Sequence, residues 1–153
     1  MNHAQKAQEL FKEGYNCSQA VIGAFCEELG LDFKTAMKLS SSFGGGMGRM
    51  REVCGAVTGM FMAAGLQYGP DSTENPLAKA QHYARIQEIA KMFKDKNGSI
   101  ICRELLEGVE SSTTPTPSER TETYYKKRPC ADLVADAAEI FEQYLMANKE
   151  EKV

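Results

Sequence analysis

The sequence predicts an all-α fold, organised as one helical bundle of about five to six helices that spans residues 1–153. Three observations indicate this fold. Apolar residues recur at helical spacing along most of the chain, residues that end helices separate these segments, and no convincing alternation of apolar and polar residues indicates a strand. A length of 153 residues also lets a single domain bury a core without disulfide support.

Three helices are predicted before the glycine-rich stretch. In the first, apolar residues recur at helical spacing and the pattern ends near Gly14. The second covers about residues 17–29, and Gly30 ends it. The third covers the segment LDFKTAMKLSSSF, in which Asp32 is the expected N-cap.

The glycine-rich stretch FGGGMGRMREVCGAVTG occupies residues 43–59, and helical patterns resume inside it. Pro76 suits the first turn of a long amphipathic helix. Residues 108–119, by contrast, are expected to form an irregular connection. The helices predicted in this half of the chain cover about residues 53–68, 76–96, 101–106 (a short one) and 130–147.

Charge and hydropathy argue against two classes of partner. The chain has 18 basic and 21 acidic residues, for a net charge of −3, so it lacks the basic surface typical of nucleic-acid binding. No segment approaches the roughly 18 consecutive apolar residues of a membrane span. The N-terminal residues lack the charged-then-apolar pattern of a secretory signal. We therefore expect a cytoplasmic protein that binds neither nucleic acid nor membrane, and its apolar helix faces are consistent with a homodimer.

Four of the five cysteines fall at the predicted start of a helix, where unpaired backbone N–H groups and the helix dipole favour an anion. For a cysteine that anion is the thiolate. Arginines within three residues of three of them add positive charge. Cys26 lies in the middle of a helix and is predicted to be a small core residue. The four cysteines are Cys17, Cys54, Cys102 and Cys130, and the arginines are Arg51, Arg103 and Arg128.

Permanent disulfides are not expected for this chain. A reducing compartment opposes them, the number of cysteines is odd, and neither a CxxC motif nor a zinc-type histidine spacing is present. Free cysteines are also often buried as small apolar residues, so a structural role is the alternative interpretation of the same pattern.

The glycine-rich stretch does not match a nucleotide-binding loop. Its GGGMGR segment lacks the lysine and hydroxyl residue of a phosphate-binding loop, and no strand precedes it. Glycines permit positive φ angles and close approach of another segment, and small residues continue from Gly55 to Ala63. We predict close packing around Cys54 at this point of the chain.

Together these features resemble a known family, the C_GCAxxG_C_C redox-active proteins. The resemblance covers the chain from about Gly14 to the last helix, although this sequence reads Cys-Gly-Ala where the family name has Gly-Cys-Ala. It implies a helical protein whose four cysteines act together, with Cys26 outside the pattern. The residues that carry it are NCSQAV at 16–21, GGGMG at 44–48, CGAVTG at 54–59, Cys102 and Cys130.

Two mechanisms fit this cysteine set. In the first, the four thiolates bind an iron–sulfur cluster or another thiolate-bound metal, and the protein exchanges single electrons with a partner protein. Spacings of 37, 48 and 28 residues then require four separate elements to converge. The chain is also similar to the cysteine-bearing part of split-Soret cytochromes, which hold an iron–sulfur centre, but it has no CxxCH motif for haem attachment.

In the second mechanism, thiol pairs cycle between dithiol and disulfide. Cys54, beside Gly55 and near Arg51, is then the expected attacking thiolate. A third interpretation is a non-catalytic helical interaction module, in which the cysteines are structural and methionine-rich helix faces bind a partner. The reactivity of the thiols in the native protein separates this interpretation from the other two.

Overall fold

Eight helices make up the fold in the computed structural model, which describes residues 2–109 and 111–149. The all-α class is confirmed for these residues, whereas the predicted number of about five to six helices is too low. A 3-10 turn and a four-residue helical turn, together spanning Ser41–Met47, lead into the glycine loop. The helices are α1 (His3–Lys12), α2 (Cys17–Phe25), α3 (Phe33–Ser40), α4 (Gly55–Tyr68), α5 (Pro76–Asn97), α6 (Cys102–Leu105), α7 (Glu122–Lys127) and α8 (Cys130–Ala147).

The helix that sequence analysis missed is α7. It has six residues and no apolar periodicity, so its sequence carries little helical signal. The Thr121 side chain accepts a hydrogen bond from the backbone N–H of Tyr124 and thereby caps it. Two helix ends also differ from those predicted. Helix α2 ends at Phe25 and not near residue 29, because the chain turns there toward Gly30. Helix α4 begins at Gly55 and not near residue 53.

Side-chain caps fix two of the helix starts. Asp32 accepts a hydrogen bond from the backbone N–H of Thr35, as predicted for the N-cap of α3. Asn16 and Gln19 form a capping box, in which each side chain accepts a hydrogen bond from the backbone N–H of the other residue. The capping box sets the start of α2 and therefore the position of Cys17.

The core is built around α2, whose residues from Ala20 to Phe25 are all buried. Helices α1, α4 and α8 pack against it, and α5 packs on α8 and α4 from outside. The α2–α4 contact is close because α4 presents glycine. A Cβ on Gly59 would lie 2.7 Å from the carbonyl oxygen of Ser18 and 2.9 Å from the Cβ of Val21.

The longest helix, α5, has 22 residues and carries charged side chains along its length. One of them, Lys96, pairs with Asp136 of α8 at 3.0 Å between Nζ and Oδ1. Across residues 2–109 and 111–149, none of the helices combines the length and apolarity that crossing a membrane requires.

Replacing Gly59 with alanine is expected to destabilise the protein by about 1–3 kcal/mol, because the added methyl group overlaps the backbone of α2. Gly65 of the same helix is the matched control. Its Cβ position has nothing within 4 Å. Gly65→Ala should therefore stabilise the helix by about 0.5–1 kcal/mol. Urea unfolding of both variants measures the difference, and equal effects would contradict the close packing of α2 on α4.

Candidate functional site

The four cysteines singled out in the sequence lie around one cavity. Its volume is about 320 Å³, and the thiols of Cys17, Cys54, Cys102 and Cys130 are all among its lining residues. They come from four separate elements, since Cys17, Cys102 and Cys130 are the first residues of α2, α6 and α8 and Cys54 is the N-cap of α4. All five cysteines of the chain are free thiols.

Backbone pairing holds two of these cysteines next to each other. Val53 and Ile101 form an isolated antiparallel bridge. Beside it, the N–H of Cys54 donates to the carbonyl of Ile100 at 2.8 Å, and the N–H of Cys102 donates to the carbonyl of Glu52 at 2.6 Å. This pairing delays the start of α4 until Gly55 and brings the starts of α4 and α6 to the same cavity.

The glycine loop wraps closely around the cysteines. A Cβ on Gly46 would lie 2.5 Å from the Cβ of Cys102, and one on Gly55 would lie 3.0 Å from the Cβ of Cys17. The prediction of close packing at this loop is therefore confirmed. Glycine is required at Gly46 for a second reason, since its φ angle is 71°.

Left-handed backbone continues beyond the glycines to residues that rarely adopt it. Met47, Arg49 and Arg51 have φ angles of 69°, 67° and 61°. Such conformations persist where the surroundings determine them, and they cluster at functional sites. Here they direct the side chains of Arg49 and Arg51 to the cavity wall.

The thiols of Cys17 and Cys130 lie close enough to interact, and a hydrogen bond between them is the largest influence on the pKa of each. Its effect on the two sulfurs is opposite. The bond from Cys17, assisted by the charge of Arg128, lowers the pKa of Cys130 to about 7 despite burial. The same bond, with burial, raises the pKa of Cys17 well above its ordinary value. These two directions favour the negative charge on Cys130 and the proton on Cys17.

The other two thiols stay protonated near neutral pH. Burial raises the pKa of Cys54 to about 12. Burial also raises the pKa of Cys102, although a hydrogen bond from Arg51 opposes the shift. The raised pKa of Cys54 does not favour it as the attacking thiolate that the sequence analysis expected. A helix start alone does not make a thiolate when the sulfur is 5% exposed and has no cation against it.

The three arginines that the sequence places near cysteines do not all interact with the nearest cysteine in sequence. Arg51 donates from Nη1 to the sulfur of Cys102 at 3.8 Å, not to Cys54. Arg103, next to Cys102 in sequence, instead donates to the backbone carbonyl of Arg51 and pairs with Glu52. Only Arg128 acts, as expected, on the cysteine two residues away.

Two arginines that sequence analysis did not select also line the cavity. Arg49 lies on the glycine loop, five residues before Cys54. Arg120 lies before α7 and reaches 109 residues back along the chain to donate to the carbonyl of Phe11. No sequence pattern predicts a contact between residues as far apart as Arg120 and Phe11. Arg49 could have been selected from the sequence, because it alternates with Arg51 beside the glycines.

Residues 112–118, part of the irregular connection predicted at 108–119, cover the cavity from one side. Arg51 donates from Nε and Nη2 to the carbonyl of Ser112 at 3.1 and 2.9 Å. Arg49 donates from Nε to the carbonyl of Thr114 at 2.7 Å. Pro115, Pro117 and Ser118 then contribute to the cavity wall.

Cys26 lies apart from this site. It is fully buried, and its sulfur is 3.8 Å from the carbonyl of Gly23 in its own helix turn. It is not among the cavity-lining residues. The prediction that Cys26 is a core residue is confirmed.

The ligand geometry is not that of a single metal ion. In the part of the chain that the structure describes, no three side chains of His, Cys, Asp or Glu are arranged to hold one ion. The four thiols line one cavity but do not form such a group.

Comparisons with known proteins agree with the cysteine pattern. The chain matches the model of the family described as "Putative redox-active protein (C_GCAxxG_C_C)" over residues 15–144, a range that contains all four cavity cysteines. A protein of Archaeoglobus fulgidus, named "Uncharacterized protein", is 28% identical over 151 residues, covering 92% of this chain and 93% of that protein. No solved structure was found to match. The chain belongs to the C_GCAxxG_C_C redox-active protein family.

Proposed function

We propose that this protein is a thiol–disulfide redox protein whose first reacting pair is Cys130 and Cys17. One observation carries the proposal: Cys17 and Cys130 line the same cavity, and their thiols shift each other's pKa in opposite directions. A thiolate beside a protonated thiol is the arrangement that attacks a disulfide and then resolves the product. Five unpaired cysteines are also consistent with work in the cytoplasm, where thiols stay reduced.

The reaction begins at Cys130. Its thiolate attacks one sulfur of a substrate disulfide and forms a mixed disulfide, and the other half of the substrate leaves as a thiolate that takes the Cys17 proton. The Cys17 sulfur then attacks the Cys130 sulfur, and the second half of the substrate leaves as a thiolate. Two electrons have passed to the substrate, and Cys17 and Cys130 have become a disulfide.

Regeneration requires a dithiol, and two routes follow from the site. A partner protein with a dithiol of lower potential can reduce the Cys17–Cys130 disulfide directly. Cys54 and Cys102 line the same cavity as protonated thiols, so they can pass two electrons to that disulfide and become oxidised in turn. In both routes one disulfide is broken for each one formed.

Cys130→Ser is expected to slow oxidation of the reduced protein by 2-hydroxyethyl disulfide roughly 10-fold or more, since an ordinary cysteine is only a few per cent thiolate at pH 7. Cys17→Ser should still react but should stop at the mixed disulfide, because the resolving sulfur is gone. Intact mass measurement detects that adduct, and peptide mapping assigns it to Cys130.

The matched control is Cys26→Ser, which removes a thiol outside the cavity and should leave the oxidation rate unchanged. If Cys54→Ser abolished the reaction while Cys130→Ser did not, the assignment of the reacting pair would be wrong. If none of the four cavity thiols reacted faster than Cys26 in the native protein, the structural role of the cysteines and the interaction module would be favoured instead.

Alkylation of Cys130 by iodoacetamide is expected to accelerate as pH rises through about 7 and then to level off. The sign follows because only the thiolate reacts, and the Cys17 hydrogen bond stabilises the thiolate. Cys17→Ala removes that bond, so the midpoint should move to higher pH. A midpoint near the ordinary cysteine value of about 8.5 in the unmodified protein would contradict the thiolate assignment.

A second candidate function is electron transfer through an iron–sulfur cluster, and one observation favours it. All four thiols, rather than two, line the same cavity. Thiolates suit iron–sulfur clusters by donor type, and Cys17, Cys54, Cys102 and Cys130 match the usual number of ligands. A cluster distributes its cysteines over different iron atoms, so it does not need three side chains to meet at one ion, an arrangement absent from the described residues. When bound, such a cluster supplies single-electron transfer.

Purification without oxygen separates the two candidates. For thiol–disulfide chemistry we expect a colourless protein with substoichiometric iron and no acid-labile sulfide. Iron with matching sulfide and visible absorbance that a reductant bleaches would instead establish the cluster. Each of the four cavity Cys→Ser variants should then lose the absorbance, and Cys26→Ser should keep it.

A further inference from the structure

Positively charged side chains line the cysteine cavity. Arg49, Arg51, Arg120 and Arg128 are all in its wall. None of the lining residues in the described part of the chain is an aspartate or a glutamate. The whole chain has a net charge of −3, so the cavity is opposite in sign to the protein that contains it.

The most buried of these charges is Arg51, whose side chain is only 4% exposed. Its guanidinium donates twice to the carbonyl of Ser112 and once toward the sulfur of Cys102. Carbonyl oxygens satisfy the N–H groups but leave the positive charge without a counter-ion, and a buried charge is costly until it is paired.

Backbone carbonyls also accept the hydrogen bonds of Arg49 and Arg120. Arg49 donates to the carbonyls of Thr114 and Ser112, and Arg120 donates to those of Phe11 and Tyr15. Burial, then the charges of Arg51 and Arg128, lowers the pKa of Arg49, which shows that these cations repel one another. The carboxylate pairs of the described residues include Lys91–Asp95, Lys96 with Asp136 and Glu139, Arg103–Glu52, and His3 with Glu28 and Glu142, and none of these carboxylates lines the cavity.

Arg49, Arg51 and Arg120 alone place three positive charges in the wall, and a single thiolate among the cavity cysteines would balance only one of them. A cavity of about 320 Å³ has the size of small-molecule sites and is too small for a folded partner to enter. Guanidinium groups recognise carboxylates through paired hydrogen bonds.

We propose that the substrate of this cavity is a small disulfide that carries carboxylate groups, bound by Arg49 and its neighbouring arginines beside the Cys17–Cys130 pair. This inference rests on the proposed thiol–disulfide function. The arginines hold the acidic groups of the substrate, and Cys130 attacks the disulfide bond between them. The exchange is the one balanced above, with one half of the substrate released as a thiol and the other as a thiolate.

Three small disulfides that differ chiefly in charge test this proposal. They are 3,3′-dithiodipropionate (two negative charges), 2-hydroxyethyl disulfide (neutral) and cystamine (two positive charges). The rate of Cys17–Cys130 oxidation by each is divided by its rate with 2-mercaptoethanol, which removes differences in intrinsic reactivity. We expect the normalised rate for the dianion to exceed that for the dication by about 10-fold or more at low salt. The ratio should fall toward one near 1 M salt, where charges are screened within about 3 Å.

Substitutions at Arg49 test whether the cavity arginines cause the preference for the negatively charged disulfide. Arg49→Gln should reduce the ratio several-fold, by lowering the normalised rate with the dianion far more than the rate with the neutral disulfide, and its circular dichroism spectrum should show that the variant is folded. Arg49→Lys keeps the charge and should keep most of the ratio. Lys91→Gln removes an exposed cation on α5 that pairs with Asp95, and it should change neither quantity.

The outcomes distinguish the two proposals. Equal normalised rates for the three disulfides, with the Cys17–Cys130 disulfide forming in each case, would overturn the acidic substrate and leave the thiol chemistry standing. Failure of every disulfide to oxidise the pair would overturn the proposed function and the substrate inference together. A preference that Lys91→Gln weakened as much as Arg49→Gln would also reject the cavity arginines as its source.

Discussion

The short backbone pairing between residues 51–54 and 100–103 organises the site. Its hydrogen bonds join Cys54 to Ile100, Cys102 to Glu52, and the N–H of Arg103 to the carbonyl of Arg51. These residues are about 50 positions apart in sequence, yet the pairing fixes two cysteines and one buried arginine as a unit. The pairing depends on Gly46, because any side chain there would overlap Cys102 and the backbone of Arg51.

All four thiols lie at helix starts, but this position does not explain why their pKa values differ. Each cavity cysteine lies at an N-cap or first helical position, so the helix dipole acts on all four. Desolvation decides the outcome at Cys54, whose pKa is raised to about 12. At Cys130 a hydrogen bond and guanidinium charges outweigh the same desolvation. Local partners, and not position on the helix, therefore select the thiolate.

The elements with long apolar periodicity or a clear cap could be predicted from sequence. The last helix begins at Cys130 and ends at Ala147 as predicted, and Asp32 caps α3. The convergence of the cysteines was expected from the family resemblance and from the metal-binding mechanism, which requires four separate elements to meet. The roles of the individual cysteines could not be predicted, because they depend on contacts such as Arg120 with Phe11 and on left-handed backbone at Arg51. Neither feature has a local sequence pattern, since both are imposed by the packed fold.

The arginines connect the two chemistries that four thiols permit. Thiol exchange and cluster binding both require sulfur to be held as thiolate, and both accumulate negative charge where water is scarce. Arg51, at 4% exposure, has given up solvation that only an anion in the cavity restores. Thiol exchange and cluster binding differ in how the negative charge is distributed among the four sulfurs. The hydrogen bond between Cys17 and Cys130 concentrates it on one sulfur, which suits nucleophilic attack, whereas ligation distributes it over four. The thiolate–thiol pair is therefore the feature that favours exchange.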